Sequence, residues 1–233
     1  MCKHGVIVMT TGKELWNHVR KEVNADAVQL SSWSSHALRT DMKHFLFTFA
    51  RYKFVTKMIM NHKDLTLVEL GCNDGLGTVM FEQTGICKKV IGIDFDTDSI
   101  QWAKNNVSSV ITEFIEDDFL GKTYIKADVV ASLDVIEHIE KDREMEFLDS
   151  ICNNLKDNGV AIIGTPSLSM YQYTSEKNKE AHINNYSQTR LYELLSKRFK
   201  HVFIFGMNDE VLHVGFYPMA SYIMALCCDK KLK

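Results

Sequence analysis

Short apolar runs alternate with amphipathic helical patterns from Leu65 onward. Five of these runs have the length of buried strands, at 65–72, 89–96, 111–118, 127–134 and 159–166. Between the last two runs, Leu148, Ile151 and Leu155 keep the spacing of a helix that buries one face. Strands that alternate with helices predict a parallel sheet covered on both faces.

The pattern changes after Pro166. Residues 167–186 are polar and predict a loop or short helices, which we expect to overhang the acceptor. Two strand-like runs follow at 201–207 and 211–217, joined by only three residues. So short a connection predicts an antiparallel hairpin, because a parallel return needs a crossover.

The predicted architecture is an α/β, Rossmann-like fold with helices on both faces of a seven-stranded sheet. Five parallel strands and the C-terminal antiparallel hairpin make up the seven. Residues 1–62 carry helical patterns and are predicted to form an N-terminal helical cap, with residues 63–233 as the core. The uncharged stretch 211–228 is interpreted as the last strand followed by a short core helix, in preference to a membrane contact.

Composition narrows the class of partner. The chain has 233 residues, 45% hydrophobic and 24% charged, which suits a globular protein with a substantial core. A formal net charge of −3 gives no reason to expect nucleic acid or an anionic membrane. The six cysteines form no CxxC pair. We therefore expect a reduced, cytoplasmic protein with no stable membrane span and no nucleic-acid partner.

The first strand runs straight into a glycine-rich turn, Gly71-Cys72-Asn73-Asp74-Gly75-Leu76-Gly77. Glycine allows positive φ and lets the backbone approach a ligand. The spacing is GxxxGxG and not the GxGxxG that brings a diphosphate onto a helix N-terminus, which argues against a nicotinamide oxidoreductase. Glu69 and Asp74 beside the turn would repel a diphosphate and suit a cationic ligand.

Further acids end the next two strands. Asp94 ends the second run, where a carboxylate is able to accept hydrogen bonds from both hydroxyls of a ribose. Asp118 ends the third run, where an acid would receive an adenine amino group; Asp117 is the open alternative. Phe95 and Phe119 follow these acids as apolar neighbours. Parallel strands end at one edge of a sheet, so the acids and the glycine turn should share one crevice.

Three segments together resemble the signature segments of class I S-adenosylmethionine-dependent methyltransferases, at 69–75, 92–94 and 133–138. The third is similar to that of the ubiquinone-biosynthesis O-methyltransferases and of tailoring methyltransferases from natural-product and surface-sugar pathways. Asn73 departs from the glycine that these proteins often have. The resemblance implies S-adenosylmethionine as cofactor and S-adenosylhomocysteine as product. The candidate cofactor-binding residues are Glu69, Gly71, Cys72, Asn73, Asp74, Gly75, Asp94, Phe95, Asp118, Phe119 and Leu133, with Arg51 of the cap near the cofactor carboxylate.

Two histidines are the catalytic candidates. A hydroxyl acceptor needs a base, whereas a carboxylate is already ionised at neutral pH. His138 follows Glu137 at the end of the fourth strand; the alternative is that it begins a helix and bonds only to backbone. His182 lies in the polar loop, with a plain surface histidine as its alternative. The resemblance leaves a metal site at Glu137 and His138 open, and no metal is predicted.

The expected activity is O-methylation of a hydroxyl or carboxylate on a natural product. The acceptor would be a small molecule, a glycan or a peptide, including a peptide C-terminal carboxylate. Methylases of nucleic-acid base amines carry an Asn/Asp-Pro-Pro-aromatic element after the fourth strand, and residues 133–136 hold no proline. The alternative from another class is a catalytically silent partner protein that only binds S-adenosylmethionine.

Overall fold

The structure is a computed structural model that describes residues 11–22, 29–215 and 217–231. The chain divides into two compact units, Met1–Leu30 and Ser31–Lys233. In the first unit, α1 (Gly12–Glu22) begins at a capping box. The Thr11 hydroxyl accepts from the Glu14 amide at 3.2 Å, and the Glu14 carboxylate accepts from the Thr11 amide at 3.0 Å. The unit boundary precedes the cap boundary expected at residue 62, which stays a prediction.

The second unit holds the sheet and the helices that cover it. Its helices are α2 (Ser32–Thr40), α3 (Met42–Ile59), α4 (Val79–Gln83), α5 (Thr97–Asn106), α6 (Glu144–Asn154), α7 (Glu176–Ala181) and α8 (Gln188–Leu195). Its strands are β1 (Leu65–Leu70), β2 (Cys87–Asp94), β3 (Thr112–Glu116), β4 (Ala127–Leu133), β5 (Leu155–Pro166), β6 (Phe199–Asn208), β7 (Val211–His213) and β8 (Tyr222–Lys230). The strand order is β3-β2-β1-β4-β5-β8-β6-β7.

The parallel half of the sheet confirms the prediction. Strands β1 to β5 pair in parallel, with Val68 opposite both Ile91 and Val130. The strand order reverses between β1 and β4, and open α/β sheets bind ligands at that point, beyond the carboxyl ends of the strands. The glycine turn follows β1 directly, so it lies at this edge.

The antiparallel half corrects the prediction in two ways. The sheet has eight strands, because residues 222–230 form β8 where a short core helix was expected. Strand β8 lies between β5 and β6 and pairs antiparallel with both, so most of its residues are buried. A strand buried on both faces gives a continuous apolar run, which periodicity alone does not distinguish from a buried helix. The expected hairpin exists as β6–β7, with β7 only three residues long at the edge.

Two apolar layers hold the helices against the sheet. One face packs on α6 and α8 through residues such as Phe147, Ile151 and Leu191. The other packs on α3 and α4 through residues such as Val55 and Phe81. Each of these side chains is fully buried, so the layers fix the positions of the helices that border the carboxyl edge. In the described part of the chain, no helix combines the length and apolarity that crossing a membrane would need.

Candidate functional site

The glycine turn is held in its shape by its neighbours as well as by its backbone. Gly71 and Gly75 have φ of +81° and +72°, and Asn73 takes +50°. A Cβ added to Gly71 would lie 2.2 Å from a Val135 methyl, and one added to Gly75 would lie 2.3 Å from the Phe114 ring. Both positions therefore require glycine before any ligand is considered.

Glu69 is completely buried beneath the turn. Its two carboxylate oxygens accept hydrogen bonds from the Tyr52 hydroxyl at 2.7 Å and the Thr78 hydroxyl at 2.5 Å. Burial raises the pKa of this carboxyl to about 7, although the two hydroxyl donors oppose that shift. Tyr52 thereby ties α3 to the end of β1, where the glycine turn begins.

Asp94 holds the far side of the same turn. One of its oxygens accepts from the Asn73 amide at 2.8 Å and the other from the Asp96 amide at 3.0 Å. The carboxylate is only half-buried, and each oxygen keeps a second lone pair for a ligand hydroxyl. The structure thus places Asp94 beside Asn73, and its role at a ribose stays a prediction.

Asp74 is buried, and its carboxylate oxygens already accept hydrogen bonds from the protein. It accepts hydrogen bonds from the hydroxyls of Ser31 and Ser34, the latter at 2.5 Å, and from the Leu76 amide at 3.1 Å. Ser31 is also the N-cap of α2. Asp74 therefore anchors the start of α2 to the glycine turn, a contact that the local sequence pattern did not reveal.

The two candidate acids after β3 differ in what they already bind. Asp117 forms an ion pair with Lys122 at 2.5 Å and accepts from the Tyr124 hydroxyl at 2.7 Å. Asp118 is exposed and accepts a hydrogen bond from the Leu120 amide at 3.1 Å. The Lys122 and Tyr124 donors lower the pKa of the Asp117 carboxyl, so it stays ionised and paired. This difference favours Asp118 as the acid that meets a ligand.

The aromatic neighbours of these acids also differ. Phe119 is buried in the core, with its ring 6.3 Å from that of Phe147. Phe95 is 74% exposed at the end of β2 and presents an open ring face beside Asp94. Leu133 and Cys72 are both buried, so either would meet a cofactor mainly through its backbone.

Arg51 is buried and engaged within the protein. Its guanidinium forms an ion pair with Asp134 at 2.5 Å and stacks 3.8 Å above the Tyr222 ring. Asp134 itself has φ of +57°, directly after β4. Tyr222 belongs to β8, so this cluster joins α3 to both halves of the sheet. A role for Arg51 at the cofactor carboxylate stays a prediction.

Glu137, His138 and His182 converge at the end of β4. Each offers a ligand atom within 4.8 Å of the others, and they form the one such group of three or more in the ranges that the structure describes. The two imidazole rings lie edge to face, with centroids 5.0 Å apart. Nδ1 of His138 lies 2.9 Å from the Ala181 carbonyl oxygen. A carbonyl only accepts, so Nδ1 carries the proton and Nε2 keeps a lone pair for a proton or a cation.

The carboxyl of Glu137 is buried with one oxygen unsatisfied. Oε2 accepts from the Thr165 hydroxyl at 3.0 Å, and Oε1 has no hydrogen-bond partner among the described residues. Burial, then the charge of Asp134, raises the pKa of Glu137 to about 8. Burial and the neighbouring His138 lower the pKa of His182, so this imidazole is neutral at neutral pH. One carboxylate oxygen and two imidazole nitrogens are a donor set that fits a divalent cation.

A polar clamp holds the loop that carries His182. We define the clamp as Glu144, Asn184, Tyr186 and Arg190. Glu144 accepts from the Asn184 amide group at 3.0 Å, from the Tyr186 hydroxyl at 2.7 Å and from the Arg190 guanidinium. The Asn184 backbone amide donates to the Glu137 carbonyl at 3.0 Å. The clamp therefore fixes His182 against the end of β4, and none of its members was predicted.

Comparison with known proteins identifies the class. Residues 30–198, more than half of the chain, match the model of a methyltransferase domain family, and the chain belongs to that family. The sequence matches no curated protein. The fold and the family define an S-adenosylmethionine-dependent class I methyltransferase, as the resemblance of the three segments predicted.

Solved structures share the fold at low sequence identity. A methyltransferase in complex with the Trm112 activator of Haloferax volcanii has a TM-score of 0.68 at 15% identity, covering 87% of this chain and 96% of that one. The N-methyltransferase NodS of Bradyrhizobium japonicum has a TM-score of 0.58 at 14% identity, covering 79% and 97%. The plantazolicin methyltransferase BpumL, in complex with S-adenosylhomocysteine, has a TM-score of 0.63 at 12% identity, covering 84% and 88%.

Proposed function

We propose that this methyltransferase transfers the methyl group to an oxygen of its acceptor, with a hydroxyl as the preferred group. The observation that carries the proposal is the convergence of Glu137, His138 and His182. A hydroxyl is a weak nucleophile until it loses its proton, and general bases supply that step. The two imidazoles beside the end of β4 give the site a means of taking that proton.

The cofactor side would hold S-adenosylmethionine through the residues at the ends of β1 to β3. Glu69 would face the cationic methionine end, Asp94 the ribose hydroxyls and Asp118 the adenine amino group, with the Phe95 ring beside the base. The turn backbone from Gly71 to Gly75 would approach the cofactor closely. Bound in this way, the cofactor supplies a methyl carbon activated by positive sulfur, and the protein aligns the acceptor with it.

The acceptor side would prepare the nucleophile. Nε2 of His138 has the free lone pair, so it takes the hydroxyl proton, while the Ala181 carbonyl holds the ring in that tautomer. His182 lies edge-on to His138 and is neutral. It therefore would not repel the imidazolium that forms when His138 takes the proton, and its ring nitrogen would accept a hydrogen bond. The ion pair between Arg51 and Asp134 lies at the border of the same space.

The same three side chains fit a divalent cation, which would replace the general base, because Nε2 of His138 cannot hold a cation and accept a proton at once. The unsatisfied oxygen of Glu137, Nε2 of His138 and a ring nitrogen of His182 would hold it. A bound cation of this kind lowers the pKa of a coordinated hydroxyl and orients it. Titration with Mn²⁺, followed by electron paramagnetic resonance, tests this directly: loss of Mn²⁺ binding in His182→Ala but not in His201→Ala supports the cation. His201 is an exposed histidine on β6, so it is a matched control.

The acceptor is proposed to be a natural product, either a peptide or a glycan, handled in the cytoplasm. The polar segment 167–186 forms short helical turns at the carboxyl edge and leaves Tyr171, Tyr173 and Ile183 exposed, which supports a substrate larger than a few atoms. One structural neighbour is named as a plantazolicin methyltransferase. Another is named as a small RNA methyltransferase, so the fold alone does not choose the acceptor.

The deciding experiment localises the transferred methyl group. The purified protein is incubated with labelled S-adenosylmethionine and three matched peptides that expose a single hydroxyl, a single carboxylate or a single amine, and in parallel with a glycoside. Mass spectrometry locates the label. Methylated hydroxyl that disappears in His138→Ala and His182→Ala, with S-adenosylhomocysteine affinity retained, supports the proposal. Label on the amine overturns it.

Two further outcomes have distinct meanings. Methylated carboxylate with both histidine variants fully active would move the proposal from a hydroxyl to an acid acceptor, which needs no base. Cofactor binding by calorimetry with no product from any acceptor would support the catalytically silent alternative.

A further inference from the structure

A cleft of about 360 Å³ opens at the start of α8. Its lining includes none of Glu137, His138 and His182. Three separate segments form its walls: the residues that follow β5, the first turn of α8 and the short 3-10 helix before β8. Its lining includes Ser167, Leu168, Ser169, Gln188, Thr189 and Pro218.

Gln188 gives this cleft an unmet hydrogen-bonding demand. The residue is 7% exposed, and neither its amide nitrogen nor its amide oxygen has a hydrogen-bond partner among the described residues. A buried carboxamide without partners loses the hydrogen bonds it had in water. A ligand that presents one acceptor and one donor side by side would restore both.

The serine hydroxyls beside the cleft do not bond to the Gln188 carboxamide, because they bond to other groups. The Ser167 and Ser169 hydroxyls lie 2.9 Å apart, and Ser169 donates to the Ala220 carbonyl at 2.9 Å. Ser187 caps α8 by accepting from the Arg190 amide at 3.2 Å. Helix α8 has eight residues, and the amides of Gln188 and Thr189 in its first turn have no partner within the helix. The polar groups left for a ligand thus include the Gln188 carboxamide and the backbone donors of the first turn of α8.

The cleft is built on the same segment as His182. Ser167 pairs with Tyr186 as an isolated parallel bridge, and the Leu168 amide donates to the Tyr186 carbonyl at 2.8 Å. Asn184, two residues earlier, is bonded to the Glu137 backbone. A chain lying in the cleft would therefore lead toward the end of β4.

We propose that this cleft binds a peptide segment of the methyl acceptor. A residue in an extended peptide directs its own N–H and C=O to the same side of the chain, and this pair matches the Gln188 carboxamide. Leu168 and Pro218, both exposed at the rim, would contact an apolar side chain of that segment. This inference rests on the proposed function for the identity of the acceptor. It adds that the acceptor is a peptide held at a distance from its methylated oxygen, where remote contacts contribute binding energy.

The test uses N-acetyl-leucine-N-methylamide, which carries two peptide groups and one apolar side chain, and no cofactor. Titration into ¹⁵N-labelled protein should shift the side-chain amide signals of Gln188 and the backbone signals of Gln188 and Thr189 in a saturable way. Gln188→Met keeps the size and removes the amide, so it should bind the probe about fivefold more weakly while its melting temperature is unchanged or higher. Gln101→Met, at an exposed glutamine of α5, should bind as the original protein does.

Each outcome separates this cleft from the proposed function. Absence of saturable shifts at Gln188, or equal affinity in Gln188→Met, overturns the inference, and so does a response to methyl glucoside in place of the peptide probe. His182→Ala should bind the probe normally, since binding needs no methyl transfer. Probe binding at Gln188 together with methylation of nitrogen would keep the cleft and refute the oxygen acceptor.

Discussion

The two sides of the sheet's carboxyl edge differ in how completely their polar groups are satisfied. On the cofactor side, Glu69, Asp74 and Asp94 each accept at least two hydrogen bonds from the protein. On the proposed acceptor side, one oxygen of Glu137 and both amide atoms of Gln188 are buried and have no hydrogen-bond partner in the part of the chain that the structure describes.

This contrast indicates that one side contributes to cofactor binding and the other to turnover. Hydrogen bonds within the protein organise the proposed cofactor side, so little rearrangement would oppose binding. On the proposed acceptor side, a substrate or a cation would complete the hydrogen bonds of the buried groups, which would make their contribution depend on the correct occupant. Variants on the cofactor side should therefore change binding of the nucleoside, and variants on the acceptor side should change turnover.

The largest expected effect is on turnover through the two histidines. His138→Ala and His182→Ala should each lower kcat by about 10²- to 10⁴-fold on a hydroxyl acceptor, the usual contribution of a general base. Their dissociation constants for S-adenosylhomocysteine should stay within about twofold, because neither residue lies on the cofactor side. Label transfer and calorimetry on the same preparations measure both. A parallel loss of cofactor affinity in these two variants would contradict the separation between the cofactor side and the acceptor side.

The next effect is on cofactor affinity through Asp94. Asp94→Ala should weaken S-adenosylhomocysteine binding by about 10- to 100-fold, since it removes charge-assisted hydrogen bonds to the ribose and releases the Asn73 amide. Asp98→Ala, at an exposed acid of α5, is the control and should bind normally. Unchanged affinity in Asp94→Ala would place the nucleoside elsewhere.

A smaller effect should follow from loosening the clamp. Glu144→Gln keeps the shape of the side chain but removes the charge that holds Arg190. We expect kcat to fall about tenfold, with cofactor affinity retained, because His182 would be less well positioned. Glu146→Gln, in the exposed pair with Arg143, is the matched control. Equal kcat for the two variants would show that the clamp does not act on the reaction.

The smallest effect is a pH dependence on the cofactor side. The pKa of Glu69 is about 7 in the folded protein, and a cationic ligand favours the ionised carboxylate. Affinity for S-adenosylmethionine should therefore rise about fivefold as the pH increases from 6 to 8. Glu69→Gln should flatten that profile, and Glu193→Gln, at an exposed position on α8, should not. A fall in affinity over this range would contradict the assigned role.

The parallel part of the fold was predictable because its signals are local. Each strand–helix alternation is visible within about 20 residues, and the glycine turn after β1 fixes which edge binds ligand. Strand β8 was missed because Ile223, Met224 and Ala225 are buried on both faces and give no alternation. Strand β5 begins at Leu155, which the helical spacing had placed in the preceding helix, and α6 ends at Asn154.

Positions at the site were predictable only where a residue's place next to its own strand decides them. Asp94 ends β2 and Asp118 follows β3 by two residues, so both could be placed at the carboxyl edge, while their roles toward a cofactor stay predictions. The pairs Tyr52–Glu69 and Arg51–Asp134 join residues 17 and 83 positions apart, and nothing in either local segment indicates its partner. The same holds for Asn184, whose importance comes from a bond to the Glu137 backbone.

The place of β8 in the sheet has a consequence for synthesis of the protein. It lies between β5 and β6 and hydrogen-bonds to both, although both precede it along the chain. Until the ribosome has released residues through Lys230, the emerging polypeptide exposes two apolar strand edges with no neighbour, a state prone to aggregate. Any dependence on chaperones during translation should therefore persist until β8 has been synthesised.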